Sequence, residues 1–359
     1  MRAPERRAVA GRPRAGGRVS RRTRRARTLT ALAVLVLAGL LIGLLSGGGK
    51  PRRVGAQARA KVPAQSRPVS FAVHMLASGL PSPLQDAAAV ALPGPALALF
   101  GGLDASDTST SAVIEIAGAH VSTVARLPLA QHDAQGALID GAAYIFGGGQ
   151  VSSYDHILRF DPPAGSVSEV GVLPTAASDV AVTALAGSAY VIGGYDGSQA
   201  LDTVLAWRPG QSVRTVARLP LSLRYAAVAA SGGALIIAGG SHGEGAEDEI
   251  LRFEPASGRL QPIGRLPRPV THASAVALGS FVYLLGGRGA SAQSQSADIL
   301  AIDPRDGAVT RAGRLPLALS DAAAAVVGGR IMLAGGQSAG GQTQSAILSL
   351  EPQAPVSGG

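Results

Sequence analysis

The chain has 359 residues, 47% of them hydrophobic, no cysteine and a formal net charge of +9. Without cysteine, disulfides, thiolate metal sites and lipid attachment through a thiol are excluded. The charge is split: residues 1–68 hold 17 of the 32 Lys and Arg and one acid, Glu5, whereas 69–359 hold 15 Arg and 22 acids. The larger part is therefore mildly acidic, which does not suit a surface tracking nucleic-acid phosphates.

Residues 1–27 form a basic arm with eleven Arg, and 28–46 follow as an uncharged run, TLTALAVLVLAGLLIGLLS. As a helix, nineteen such residues reach about 28 Å, close to the hydrocarbon thickness of a bilayer. The denser basic block precedes the run, so the positive-inside tendency predicts a single-pass anchor with a cytoplasmic N-terminus and the remainder outside the cytoplasm. The rival reading is a cleaved signal peptide with an A-x-A site at Ala58 and Ala60. That site lies well past the apolar run, behind the basic stretch GGGKPRRVGAQ. Residues 47–68, rich in Gly, Ala, Pro and positive charge, read as a flexible tether.

From residue 69 onward the chain repeats. Leu-Pro pairs start at Leu80, Leu127, Leu173, Leu219, Leu266 and Leu315, and Gly-Gly pairs at Gly101, Gly147, Gly193, Gly239, Gly286 and Gly335. Both ladders advance by 46 to 49 residues, a period that marks a radial repeat. Each unit holds four short apolar runs rich in Ala, Val and Ile, broken by Gly, Pro, Ser and Asp, as four antiparallel strands and their turns require. In the fourth unit these are LSLRYAAVAASGG, ALIIAGG, ILRFEPASG and RLQPIGRLP.

The units resemble Kelch repeats, in which a second strand ends in Gly-Gly and a third ends in an acid-proline turn. Val191–Pro209, VIGGYDGSQALDTVLAWRP, is the nearest match, and the turn is Asp161-Pro162, Glu254-Pro255, Asp303-Pro304 and Glu351-Pro352 elsewhere. The fourth-strand Trp of the family is missing; Trp207, the single Trp, falls in a third strand. The resemblance and the count of units together predict an all-β, six-bladed β-propeller over residues 69–352; the apolar run adds one transmembrane helix before it, and 353–359 are expected to be a disordered tail. The sixth unit lacks a fourth strand, and Val69–Ser78 fits that template. We expect it to pair with Ile347–Leu350 and close the ring.

In such a propeller the loops entering the inner strands and the loops after Gly-Gly share one face. The residue five past each Leu-Pro proline is Asp86, Asp133, Asp179, Tyr225, His272 and Asp321 in turn. Repetition argues that the four Asp cap turns; the other reading is a carboxylate ring that takes a cation or a basic ligand. The departures are more telling: Arg224-Tyr225 in unit four and His272 in unit five could hold a carboxylate or sugar, and the loop after Gly-Gly in unit five adds Arg288 to the same rim. These eight residues are the candidate ligand-binding rim.

No residue set predicts catalysis, a metal or a cofactor: HxH, HExxH, a phosphate loop and GxSxG are all absent. A site combining His132, His272 and Asp133 remains open, as does solvation or weak calcium binding by the acidic loop Glu244–Glu249. The preferred function is a membrane-tethered, extracytoplasmic recognition domain for a protein, peptide or glycan, with no nucleic-acid partner. The alternative, implied by the resemblance, is a carbohydrate-active enzyme such as a sialic acid epimerase-like mutarotase, with Arg224 holding a carboxylate and His272 or a rim Asp moving protons. Galactose oxidase chemistry needs a Cys and is set aside. A ratio of 30 Arg to 2 Lys suggests a GC-rich bacterial genome.

Overall fold

The computed structural model describes residues 67–353. The described residues belong to one compact unit. The basic arm, the expected anchor at 28–46, nearly all of the tether and the tail from 354 lie outside them. Among the described residues no helix is long and apolar enough to cross a membrane.

The domain is an all-β propeller. Among the described residues there are four four-stranded sheets, one seven-stranded sheet and two small two-stranded ones; the larger sheets are antiparallel and run in chain order, except that the last one takes its outermost strand from the start of the described chain. In the seven-stranded sheet the long strand His120–Ile139 does double duty. Its first half pairs with Thr110–Ala117 and its second half with Ala142–Gly149.

Position within each sheet follows side-chain size and polarity. Strands nearest the axis are AAVAL, AVTAL, AVAAS, SAVAL and AAAVV, small residues that fit where neighbouring sheets crowd together. The next strands, such as ALIIA and FVYLL, are buried on both faces and so read as continuous apolar runs. The outermost strands alternate or face solvent, as in SVSEVGV. The innermost strands neighbour one another in a closed cycle, from Ala88–Leu92 through the second half of His120–Ile139, Ala181–Leu185, Ala227–Ser231, Ser274–Leu278 and Ala323–Val327 back to Ala88–Leu92.

The two sequence ladders prove to be the joints between repeats. The second glycine of each Gly-Gly donates its N–H to a carbonyl at the entrance to the next repeat: Gly102 to Gln131, Gly148 to Ala177, Gly194 to Leu223, Gly240 to Val270, Gly287 to Leu319 and Gly336 to Leu84, all at 2.8–2.9 Å. The first glycine makes room for that contact. A Cβ on Gly147 would stand 2.1 Å from the Ala177 carbonyl oxygen, and its φ of +61° also disfavours a side chain. The leucines of the Leu-Pro pairs are buried to between 3% and 6% exposure, each contributing about 1.5–3 kcal/mol of apolar burial.

With few aromatic residues, the core is mostly aliphatic, and the aromatics present meet those of the adjoining repeat edge to face. Phe100 meets Phe160, Trp207 meets both Tyr144 and Phe146, and Tyr190 meets Phe253. At the chain ends, Ser70–Met75 pairs antiparallel with Leu348–Gln353, forming the outermost strand of the last sheet. This pairing is shorter at its N-terminal partner, and set further along the third strand, than the expected match of Val69–Ser78 with Ile347–Leu350. Phe71 packs edge-on against Tyr283 of the preceding sheet, whose hydroxyl accepts the Val69 N–H at 2.9 Å.

Candidate functional site

The channel mouth is built from one residue of each repeat. Asp86, Asp133, Asp179, Tyr225, His272 and Asp321 all adopt left-handed backbone, with φ between 51° and 60°. Their peptide groups form a closed ring. The N–H of each donates to the carbonyl of the one before it, at 2.9 to 3.3 Å, and Asp86 closes the circle onto Asp321. Asp, Tyr and His stand where Gly would be the easy choice, and each costs on the order of 1 kcal/mol of backbone strain. That cost draws attention to the side chains, which converge on the axis.

The four Asp side chains face one another rather than capping the turns that enter the strands. Asp86 lies against Asp321, and Asp133 against Asp179. Burial, and then the carboxyls beside them, push the Asp86 and Asp133 acids well above the ordinary carboxylate range. The Asp321 acid is also raised by burial, opposed by the Ser320 hydroxyl at 2.5 Å and by the charge of Arg288. Tyr225 donates its hydroxyl to Asp133 at 3.2 Å, and burial followed by the charges of Asp133 and Asp179 pushes its own ionisation up.

Outside this ring lies a second tier. The residue preceding each ring residue bridges to the residue after Gly-Gly: Gln85 to Leu103, Ser178 to Tyr195, Arg224 to Ser241 and Thr271 to Arg288. Arg224 is fully engaged here. Its Nε donates to Asp179 at 2.5 Å, a second guanidinium nitrogen meets the same carboxylate oxygen, and its carbon lies 4.1 Å from the ring centroid of Tyr195. Tyr225 and His272 stack, and Arg288 donates to His272 Nε2 at 3.0 Å. Burial, then Arg288 and Arg224, hold His272 well below its usual ionisation range, so the neutral ring accepts this bond.

All eight rim candidates therefore converge on one mouth. Arg224 is the exception in chemistry, since the expected carboxylate clamp already holds a carboxylate of its own chain. Tyr195 is not among the rim residues the sequence singled out; its ring supports the Arg224 guanidinium. The fixed offset of Tyr195 and Arg288 from their Gly-Gly pairs is the signal that could have found it.

His132 lies 3.5 Å from Asp133 and 2.9 Å from the Ser109 hydroxyl. It stands across the ring from His272, so the two do not share a site. Among the described residues no group of three or more His, Asp or Glu is arranged to hold a metal ion. In the acidic loop Asp248 pairs with Arg265 at 2.6 Å. Below the ring, the innermost strands enclose a cavity of about 350 Å³, walled by small side chains such as Ala89, Ala137 and Ala229 and topped by the six ring residues. That volume is at the lower end of small-molecule sites.

A family model described as Kelch motif matches residues 176–217. No curated protein matches the chain. Among solved structures, one titled "Structure of YjhT" superposes with a TM-score of 0.68 at 16% identity, covering 78% of this chain and 98% of that one. At that identity the likeness is one of fold.

Proposed function

Because the chain is a Kelch-repeat β-propeller, we propose that it serves as a membrane-tethered recognition domain of six blades outside the cytoplasm, binding a protein, peptide or glycan at the channel mouth. The blade count follows if His120–Ile139 is read as the outer strand of one blade running into the inner strand of the next. The six-membered ring of peptide hydrogen bonds supports that reading. The tether rests on the uncharged run at 28–46 and the eleven Arg before it.

The observation that carries recognition is the break in symmetry at the mouth. Four ring positions repeat Asp, whereas Arg224, Tyr225, His272 and Arg288 form one contiguous arc that the architecture does not require. Repeated residues build the fold; an arc that departs from the repeat offers a partner a distinct chemistry. A photo-crosslinker placed at Leu103, on the mouth but clear of the arc, and activated in native membranes should capture a discrete partner. Absence of any partner-dependent product overturns the reading. Export is checked by an N-terminal and a C-terminal reporter, which should lie on opposite sides of the membrane.

A second reading has its own support. Asp86 and Asp133 are acids favoured in the protonated form, each beside another carboxyl, an arrangement suited to giving and taking a proton. A carbohydrate-active enzyme such as a sialic acid epimerase-like mutarotase fits that chemistry. Accelerated anomer exchange of sialic acid in magnetisation-transfer spectra, lost in Asp133→Asn, would establish it.

A further inference from the structure

The two arginines of the mouth differ in a way that points to a ligand. Arg224 is neutralised by Asp179. Arg288 has no carboxylate within 4.0 Å among the described residues; its contacts are His272 Nε2 and, at 3.5 Å, the Gly289 carbonyl. The corresponding position after Gly-Gly is Leu103, Gly149, Tyr195, Ser241 and Gln337 in the other repeats. The fold therefore does not call for a cation there.

The surroundings of Arg288 point the same way. Thr271, Arg288 and Gln295 are paired in succession across two bridges, which places their side chains in one row on the same face. Gln295 donates through Nε2 to the Ala292 carbonyl at 2.8 Å and faces Ser320 Oγ and Gln337 at 3.4 and 3.5 Å. Its Oε1 is buried and has no hydrogen-bond partner. A buried acceptor without a donor costs about 1–3 kcal/mol, a debt that a ligand donor would remove. A half-buried guanidinium without a counter-charge asks likewise for an anion.

We propose that this row is a carboxylate subsite, in which Arg288 takes the carboxylate of a ligand and Gln295 Oε1 accepts from a hydroxyl or N–H carried close by on the same molecule. The inference rests on the reading of the mouth as a recognition face. A single negative charge suits it better than two. Arg288 is the one cation of the row, so it can match one negative charge but not two. His272 keeps the guanidinium oriented without competing for the anion, because it is neutral and its other nitrogen is engaged with Thr271 Oγ1 at 3.0 Å.

The test is calorimetric titration of the full chain with galacturonate, galactose, acetyl-aspartyl amide and inorganic phosphate. One of the two carboxylates should bind, with galactose and phosphate much weaker. Arg288→Gln should weaken that binding about tenfold to a hundredfold, the value of a lost charge-assisted contact. Gln295→Glu, which places a charge beside the site while preserving size, should abolish it. Arg126→Gln, on an outer strand, should leave it unchanged. Preference for galacturonate identifies an acidic sugar as the source of the carboxylate; preference for the aspartyl compound identifies an acidic peptide. Equal binding of galactose, indifference to Arg288→Gln, or no binding of either acid overturns the subsite. If a partner is still crosslinked at Leu103, the recognition reading survives that result and only the carboxylate assignment falls.

Discussion

The rings of Tyr225 and His272 lie stacked with centroids 3.7 Å apart and planes 23° apart, although each precedes a different inner strand. Both residues hold left-handed backbone, so the stack returns part of what the ring geometry costs. Removing it by His272→Ala should destabilise the domain by about 1–2 kcal/mol, through lost ring contact and a lost partner for Arg288. Denaturant titration of the two proteins measures this, and equal midpoints would contradict it.

The pairing of Asp179 with Arg224 is a stronger constraint, because the Asp179 side chain is only 2% exposed whereas Arg224 retains 30%. Deleting the carboxylate leaves a half-buried guanidinium without its counter-charge. Asp179→Ala is expected to cost about 2–3 kcal/mol, less than a fully buried pair because water reaches Arg224. Arg224→Met should cost less, since the Asp133 acid still hydrogen-bonds the remaining carboxylate. The order of the two unfolding midpoints checks the argument.

The acids of the ring set a pH dependence whose direction is fixed. Asp86 and Asp133 are raised above their unfolded value of 3.8, so folding takes up protons between that value and their folded ones. Their stabilisation is complete below 3.8 and is lost as pH rises through the folded values. Stability should therefore decline above about pH 4, by about 1.4 kcal/mol per pH unit for each proton taken up. The double variant Asp86→Asn with Asp133→Asn should flatten that decline, measured by urea unfolding across pH.

The Gly-Gly joints admit no side chain. In Gly147→Ala the new Cβ meets the Ala177 carbonyl oxygen 2.1 Å away, and backbone cannot yield as a flexible side chain can. A loss of about 3 kcal/mol or more is expected, with Gly141→Ala as a control for positive φ alone, since nothing lies within 4 Å of its Cβ. Thermal melts of the two variants should separate widely.

The strand Ser70–Met75 ties the start of the described chain to its end. Deleting residues 69–79 strips Leu348–Gln353 of its partner and removes Phe71 from Tyr283. The melting temperature of the whole domain should fall by several degrees in a single transition, and an unchanged value would refute the closure.

Much of this was legible in the sequence because it is local and repeated. Alternating strand and turn chemistry, the Leu-Pro and Gly-Gly ladders and the offset to Asp86, Asp133, Asp179, Tyr225, His272 and Asp321 are all written at a constant spacing, and backbone conformation depends on near neighbours. Which side chains meet was not. Asp179 comes to neutralise Arg224, Tyr225 to cover His272, and Arg288 to stand beside Gln295 without an acid, only because closing the ring brings residues of successive repeats to one axis. Charge pairing is set by distances of a few ångströms across that axis. Spacing along the chain names the residues at the mouth, and closure in three dimensions decides which of them remains free for a ligand.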